Sequence, residues 1–237
     1  MAVNKNIKYI IIALIFLTIT SKLSPLYPTN DWCDTNSFFT MGKSMMKGLI
    51  IYKDIFEQKG PLLYLIYGIG YLISNTNFYG VFILEVLSFS VFLKIMHKTL
   101  NLLEYKNVAN ILIIYTVIIT TSVSFAGGGS AEEFCLPFIA FNNLILSKLI
   151  NNKTLKLTEC ITNGISAGLV FIIKFNLIAF WIPTFIILIM KKIEFKKISF
   201  NYNFYYILSN MLSKRILQLL YVTILHYRFI IYSSDLF

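Results

Sequence analysis

Long apolar runs separated by short polar stretches occupy most of the first 190 residues of the chain. A membrane-spanning helix needs roughly 20 mostly apolar residues, with about 17 as a practical minimum. The pattern predicts an all-α, polytopic integral membrane protein with about six transmembrane helices and a long first extracytoplasmic loop that contains interfacial helices. The apolar runs are Tyr9–Thr20, Pro61–Ser74, Tyr79–Met96, Val108–Phe125, Phe134–Ile150, Ile161–Ile173 and Leu177–Met190.

The run Pro61–Ser74 is short for a crossing, because its residues rise only about 21 Å at 1.5 Å each. Lysine-rich connections of a membrane protein tend to face the cytoplasm. If they do so here, one helix crosses between residues 61 and 96, and we interpret Pro61–Ser74 as a juxtamembrane or re-entrant helix. A short crossing helix is the alternative. The basic connections contain His97, Lys98 and Lys106, then Lys148, Lys153 and Lys156, then Lys191, Lys192, Lys196 and Lys197.

Composition supports a membrane protein and argues against other classes. Hydrophobic residues make up 57% of the chain and charged residues 14%, whereas a soluble domain has about a quarter charged residues. The formal charge of +10 comes from lysines between apolar runs, which indicates topology rather than nucleic-acid binding. We therefore expect a multi-pass protein of the cell membrane with a cytoplasmic N-terminus, no nucleic-acid partner, and cysteines that are small apolar residues.

The long loop at residues 21–60 contains a predicted amphipathic helix from Thr35 to Leu49. Its apolar residues recur every three to four positions, which suits a helix lying in the membrane interface. Asp34 immediately precedes it. This carboxylate is either an N-cap of the helix or a base or metal ligand presented at the membrane surface.

A second polar segment, Gly127–Pro137, contains three glycines and two adjacent acids. Ser130 and Glu133 have the spacing of a capping box, which explains Glu133 but leaves Glu132 without a structural role. Two further charges, Glu85 and Lys174, lie among apolar residues. They are functional, or they pair with each other, or Lys174 extends to the interface.

The order of these motifs resembles a known class of enzymes, the GT-C membrane glycosyltransferases. Asp34-Thr-Asn-x-Phe, Tyr52-Lys-Asp54-x-Phe and Lys59-Gly-Pro-Leu-Leu-Tyr resemble the first outer loop of the bacterial branch related to protein mannosyltransferases and lipid A aminoarabinose transferases. Gly127–Pro137 is similar to its second acidic loop. Gly168–Asn176 is similar to a later helix, although Lys174-Phe-Asn stands where that branch has a basic residue before Pro-Asn.

The resemblance implies an enzyme that moves a hexosyl or pentosyl group from a polyprenyl-phosphate donor to a cell-envelope glycan, lipid or protein acceptor on the extracytoplasmic face, by inverting displacement. It also implies site residues. The catalytic acids would be Asp34, as general base or metal ligand, with Asp31 as second choice, and Glu132 or Glu133; contacts to the substrate would be Lys59 and Lys174 on the carrier phosphate, with Tyr52 and Asp54 in the same segment. Carboxylates suit Mg²⁺ or Mn²⁺, but the resemblance leaves the need for a metal open.

The resemblance covers residues 1–197, and residues 198–237 form an atypical tail. The tail is either an interfacial segment or a non-native end produced by truncation or a frameshift, in which case the chain is an inactive fragment. The alternative function is a membrane transporter or lipid flippase subunit. That alternative would depend on Glu85 and Lys174 and would not need Asp34.

Overall fold

The computed structural model describes residues 7–196, the last six of them as backbone only. The chain forms two compact units, residues 1–187 and 188–237; of the second, only residues 188–196 are described, as the end of a helix. The described part is entirely helical, with no β-sheet, as the hydropathy pattern predicts. Its helices are α1 (Ile7–Thr20), α2 (Cys33–Met46), α3 (Pro61–Ile73), α4 (Tyr79–Leu102), α5 (Val108–Thr120), α6 (Ala131–Ile150), α7 (Leu157–Ile173) and α8 (Ile182–Lys196), with 3-10 segments at Val123–Phe125 and Phe175–Trp181.

Two of the described helices, α4 and α6, are long and apolar enough to cross a membrane. With 24 and 20 residues, they rise about 36 Å and about 30 Å, and the hydrocarbon core of a bilayer is about 30 Å thick. The apolar helices α1, α3, α5 and α7 have 13 to 17 residues. Two helices of spanning length are therefore present, and the count of about six remains a prediction.

Helix α1 runs antiparallel to α4. Near the start of α1, the Tyr9 ring lies 5.7 Å from the His97 ring, which is late in α4. Just beyond the end of α1, the Ser21 hydroxyl donates a 2.8 Å hydrogen bond to Glu85, which is early in α4. The C-terminus of α1 and the N-terminal part of α4 thus lie at the same end of the bundle.

Helices α6 and α7 form a second antiparallel pair. Lys148, late in α6, is paired with Glu159, early in α7, and Lys174, directly after α7, is paired with Glu132 in the first turn of α6. Because the backbone before α6 also bonds Glu85 of α4, both helix pairs share one end. We call the end that carries Ser21, Glu85, Glu132 and Lys174 the loop end.

Helix α3 contacts the rest of the unit at the loop end along its whole length. The amide of Gly60, just before α3, donates a 3.0 Å hydrogen bond to the carbonyl of Ile173 at the end of α7. The Tyr67 hydroxyl, midway along α3, donates to the Gly129 carbonyl at 2.7 Å. Near its end, Gly70 packs directly against Val81 in the first turn of α4. Helix α3 thus lies across the loop end, and whether it crosses a membrane or is juxtamembrane or re-entrant stays a prediction.

Helix α2 packs its apolar face on α3 and differs from the predicted helix at both ends. Phe38 is buried against Tyr64 and Tyr67, with ring centroids 6.5 and 5.6 Å away. The helix begins at Cys33 and ends at Met46, so Leu49 lies beyond it and is exposed. The expectation that the helix reaches Leu49 is wrong, because a left-handed Gly48 follows it, a common way for a helix to end.

A buried network of polar side chains holds the irregular stretch after α7 against α6. Asn142 donates to the Phe180 carbonyl at 2.9 Å and accepts from Thr184 at 2.9 Å and from Asn163 at 3.3 Å. Trp181 donates its indole N–H to Asn163 at 3.2 Å. Each of these bonds links two different helical segments. The network therefore holds the stretch that follows Lys174 against α6 and α7.

The outward faces of the helices are largely apolar. Large aliphatic and aromatic side chains are exposed on α1, α4, α5 and α7, where a water-soluble protein would place polar residues. Examples are Ile15, Ile19, Leu87, Ile114, Ile165 and Phe171.

Candidate functional site

A tight turn of three glycines stands at the centre of the loop end. Gly127, Gly128 and Gly129, called here the glycine turn, all have positive φ, at 78°, 95° and 74°. A Cβ on Gly128 would lie 2.5 Å from the Glu85 Oε1 atom, so this position needs both the left-handed backbone and the missing side chain. The turn also accepts a 2.6 Å bond from the Lys22 amide to the Gly127 carbonyl, which joins it to the end of α1.

The glycine turn covers two buried carboxyl groups, Glu85 and Glu133, called here the carboxyl pair. Their side chains belong to residues that are 0% and 3% exposed. The Gly129 amide donates to both, at 3.2 Å to Glu85 and 2.7 Å to Glu133. Ser21 donates to the second oxygen of Glu85, whereas Oε1 of Glu133 is buried without a hydrogen-bond partner in the described part of the chain.

The structure reverses the roles expected for the two adjacent acids. The Glu133 amide does donate to the Ser130 hydroxyl at 3.1 Å, as predicted for the start of α6. Its carboxylate, however, accepts from Gly129 rather than completing the capping box, and it is buried beside Glu85. Glu132, expected to lack a structural partner, is the one that forms an ion pair, with Lys174. The alternative in which Glu85 and Lys174 pair with each other is wrong.

Lys174 and Lys59, the two expected phosphate contacts, lie near each other. Lys174 directly follows α7 on extended backbone, and its side chain is 22% exposed in the pair with Glu132. The bond from Gly60 to Ile173 joins the residues that flank the two lysines. Within residues 7–190, the Lys59 ammonium group forms no ion pair.

Gly60 permits this contact because the carbonyl of Ile172 occupies the space that a side chain would need. A glycine directly before Pro61 therefore lets the first loop lie against the end of α7. The Gly60-Pro61 pair belongs to the motif Lys59-Gly-Pro-Leu-Leu-Tyr. The structure explains its glycine by this close contact with α7.

Asp31 is tied to the same region by Lys22. The two side chains form a 2.5 Å ion pair, and the Asp31 side chain is 81% exposed. The hydrogen bond from Lys22 lowers the pKa of Asp31 below its usual value. Because the Lys22 backbone is bonded to the glycine turn, the first loop and the second polar segment meet here.

Asp34 lies in the first turn of α2 rather than at its N-cap. Trp32 is the N-cap residue, and no side chain caps the helix, so the capping interpretation of Asp34 is wrong. Its carboxylate still benefits from the positive end of the helix dipole. Asp34 is partly exposed, and Phe38, one turn further along α2, packs against Tyr67, whose hydroxyl bonds the glycine turn.

Tyr52 and Asp54 shape the turn that precedes Lys59. The Tyr52 hydroxyl donates to the Lys59 carbonyl at 2.5 Å, and the Asp54 carboxylate accepts from the Ile50 amide at 2.8 Å. Tyr52 has a left-handed backbone, with φ of 68°. Both residues therefore have local structural partners, and their predicted contact with a substrate stays a prediction.

An open groove of about 470 Å³ runs along α2. It is lined by Cys33, Asn36, Ser37, Thr40 and Met41 of α2 and by Ile55, Phe56 and Glu57 of the following loop, and Asp34 follows Cys33 in the sequence without lining the groove itself. Its lining mixes hydroxyl and amide groups with apolar surface, which suits a ligand with both kinds of surface.

The predicted acids do not form a metal centre in the described part of the chain. Among residues 7–190, no three His, Cys, Asp or Glu side chains lie close enough together to hold a metal ion. The resemblance leaves the need for Mg²⁺ or Mn²⁺ open, and the reaction proposed for this chain uses neither.

Sequence reasoning missed Ser21, Lys22 and Tyr67 as members of this site. Ser21 and Lys22 are the first polar pair after the apolar run of α1, which is a usable signal for a residue at a helix end. Tyr67 gives no such signal, because a tyrosine in an apolar run is usually read as core. Its bond to Gly129 depends on α3 lying across the loop end.

The fold defines a class: an all-helical protein with two helices able to cross a membrane and a cluster of charged groups at one end. The chain belongs to the family described as "putative competence-induced protein Ccs4 N-terminal domain", whose model matches residues 2–232. No curated protein and no solved structure matches the chain.

Proposed function

We propose that this chain is a membrane-embedded sugar transferase of the GT-C type, which moves a glycosyl group from a polyprenyl-phosphate donor to an acceptor on the outer face of the cell membrane. The observation that carries the proposal is the meeting of three distant segments at the loop end. The bond from Gly60 to Ile173 and the pair of Lys174 with Glu132 bring the first loop, the start of α6 and the end of α7 together.

The proposal includes a membrane orientation with about six crossings. The shorter helices expose apolar side chains on their outward faces. Such faces suit contact with lipid, which supports membrane crossings by these helices. The end opposite the loop end carries lysines and few acids, which favours a cytoplasmic position for it. Its basic residues are Lys8, Lys98, Lys106, Lys148, Lys153 and Lys156.

In the proposed reaction Lys59 and Lys174 bind the phosphate of the donor. Glu132 positions Lys174 through their ion pair. When the bond between the anomeric carbon and the phosphate oxygen breaks, the departing lipid phosphate gains negative charge. The two ammonium groups stabilise that charge.

Asp34 is the proposed general base. It is partly exposed in the first turn of α2 and follows Cys33, which lines the groove where an acceptor hydroxyl could lie. Its carboxylate takes the hydroxyl proton as the acceptor oxygen attacks the anomeric carbon from the side opposite the phosphate, so the configuration inverts. Glu132, rather than Glu133, is the second-loop acid of this proposal, because Glu133 is buried.

One observation favours a second candidate, a transporter or lipid flippase subunit. A carboxyl group buried within a helix of spanning length, as Glu85 is in α4, is costly and often functional in transport. This candidate predicts movement of lipid-linked sugar between leaflets without release of the polyprenyl phosphate.

Binding of polyprenyl phosphate tests the roles proposed for Lys59 and Lys174. Polyprenyl phosphate in nanodiscs is titrated against the purified chain and followed by tryptophan fluorescence. Removing one charge-assisted contact should weaken binding about tenfold or more, so we expect that loss for Lys174→Gln and for Lys59→Gln. Lys53→Gln, at an exposed lysine of the same loop, is the matched control and should bind as the wild type does. Unchanged binding by both lysine variants would contradict the proposal.

A further inference from the structure

We infer that Glu85 and Glu133 form a binding site for a single proton, shared between their carboxyl groups and held beneath the glycine turn. This inference does not rest on the proposed function, since it follows from the burial of the two groups and from their partners. The ligand of the site is the proton itself, and the site needs no metal ion.

The number of compensating donors is too small for two charges. Two ionised carboxylates at 0% and 3% exposure would receive one amide N–H, from Gly129, and one hydroxyl, from Ser21. An isolated ionised carboxylate costs far more to bury than such bonds return. One of the two groups must therefore be neutral.

The nearby cations in the described part of the chain do not supply the missing charge. Lys22, on the segment after α1, is directed to Asp31, and Lys174, after α7, is directed to Glu132. From α3, the Tyr67 hydroxyl faces the pair but donates to the Gly129 carbonyl. Asp34, in the first turn of α2, is an acid and supplies no compensating charge either.

The unpartnered oxygen identifies where the proton lies. Oε1 of Glu133 is buried and accepts no hydrogen bond within the described part of the chain, and the carboxyl groups of Glu133 and Glu85 lie within hydrogen-bonding reach of each other. A proton on Glu133 lets that group donate to Glu85. Every buried oxygen then has a partner, as is usual for buried polar groups.

Close packing favours a proton over a metal cation at this place. Even a Cβ on Gly128 would approach Glu85 Oε1 to 2.5 Å, and a sodium or magnesium ion needs several oxygen ligands around it. A proton needs no additional space. Its loss would leave two like charges side by side under one amide, which would push the glycine turn away from α1 and disturb the Lys22–Asp31 pair.

Infrared spectroscopy of the full-length protein in nanodiscs tests the inference. At neutral pH the wild type should show the C=O band of one protonated carboxyl group, shifted by ¹³C-glutamate labelling. Glu85→Gln and Glu133→Gln should each abolish it, because the new amide donates to the remaining carboxylate, which then ionises. Glu104→Gln, at an exposed glutamate, is the matched control and should keep it.

Each other outcome overturns the inference. A wild type without the band holds two ionised groups, and a band only halved by each single variant indicates two protons. Thermal stabilisation of the wild type by Na⁺, K⁺ or Mg²⁺ that Glu85→Gln abolishes would indicate a cation site instead.

Stability against pH gives a second readout that needs only the wild type to fold. The folded chain keeps a proton that an unfolded glutamate, with a pKa of about 4.3, has released at neutral pH. Since the folded state then binds more protons, stability should fall as pH rises from about 5 to about 7, after the unfolded chain has released the proton and while the folded chain still holds it. A wild-type unfolding temperature that does not fall over this interval would contradict the shared proton.

Discussion

The ion pair between Lys174 and Glu132 joins the end of α7 to the first turn of α6, across 42 positions of the chain. A lysine at a helix C-terminus and a glutamate at a helix N-terminus each suit the dipole of their own helix. The pair therefore holds two antiparallel helices in register at the loop end. It also leaves both groups about one-fifth exposed, and so available to a ligand.

The native cysteines test which end of the protein faces outward. Cys33 and Cys160 are both exposed, and they lie at opposite ends, in the first turns of α2 and α7. We expect a membrane-impermeant maleimide to label Cys33 in intact cells and Cys160 only after permeabilisation. Cys33→Ser and Cys160→Ser assign the two signals, and labelling of Cys160 from outside would contradict the proposed orientation.

Gly128→Ala tests the glycine turn. The substitution places a Cβ against Glu85 on a backbone with φ of 95°, so we expect a loss of stability of about 2 kcal/mol or more. Gly164→Ala is the matched control, because a Cβ there meets nothing within 4 Å and a helical alanine is favoured over glycine by about 1 kcal/mol. Thermal unfolding in detergent compares the two, and equal stability of both variants would refute the role given to the turn.

Asn142→Leu tests the polar network that holds the stretch after α7. The substitution removes three hydrogen bonds to Asn142, and we expect it to cost about 1–3 kcal/mol of stability. Asn143→Leu is the neighbouring control, because its buried side-chain oxygen has no hydrogen-bond partner in the described chain. A leucine there should be close to neutral, and a larger loss at Asn143 than at Asn142 would contradict the network.

The positions of the helices could be predicted from the sequence because apolar runs and helices coincide. Each of the seven runs is mostly helical, and α3 begins at Pro61, as expected for a proline in the first turn of a helix. The boundaries were less accurate. The run Val108–Phe125 breaks at Thr120, where the chain turns towards the three glycines, and hydropathy does not record such a turn.

The partners of the acids could not be predicted, because they depend on contacts between distant segments. Sequence spacing indicated a local role for Glu133 and none for Glu132. In the structure, Glu133 is buried beside Glu85, which lies 48 positions earlier in the chain. Glu132 forms its ion pair with Lys174. The meeting of the two acidic segments was an expectation from resemblance, and the atypical tail at 198–237 lies outside the described residues.

The most direct test of the proposed chemistry compares Asp34→Asn with Asp31→Asn. Both remove a carboxylate from the first loop, but Asp34 belongs to α2, whose residues Cys33 and Ser37 line the groove, whereas Asp31 pairs with Lys22. Release of polyprenyl phosphate from polyprenyl-phosphate hexose and pentose donors is measured with purified protein in liposomes. We predict that Asp34→Asn lowers the rate at least about a hundredfold and that Asp31→Asn lowers it only a few-fold. Full turnover by Asp34→Asn, or none by the wild type with either donor, would contradict the account.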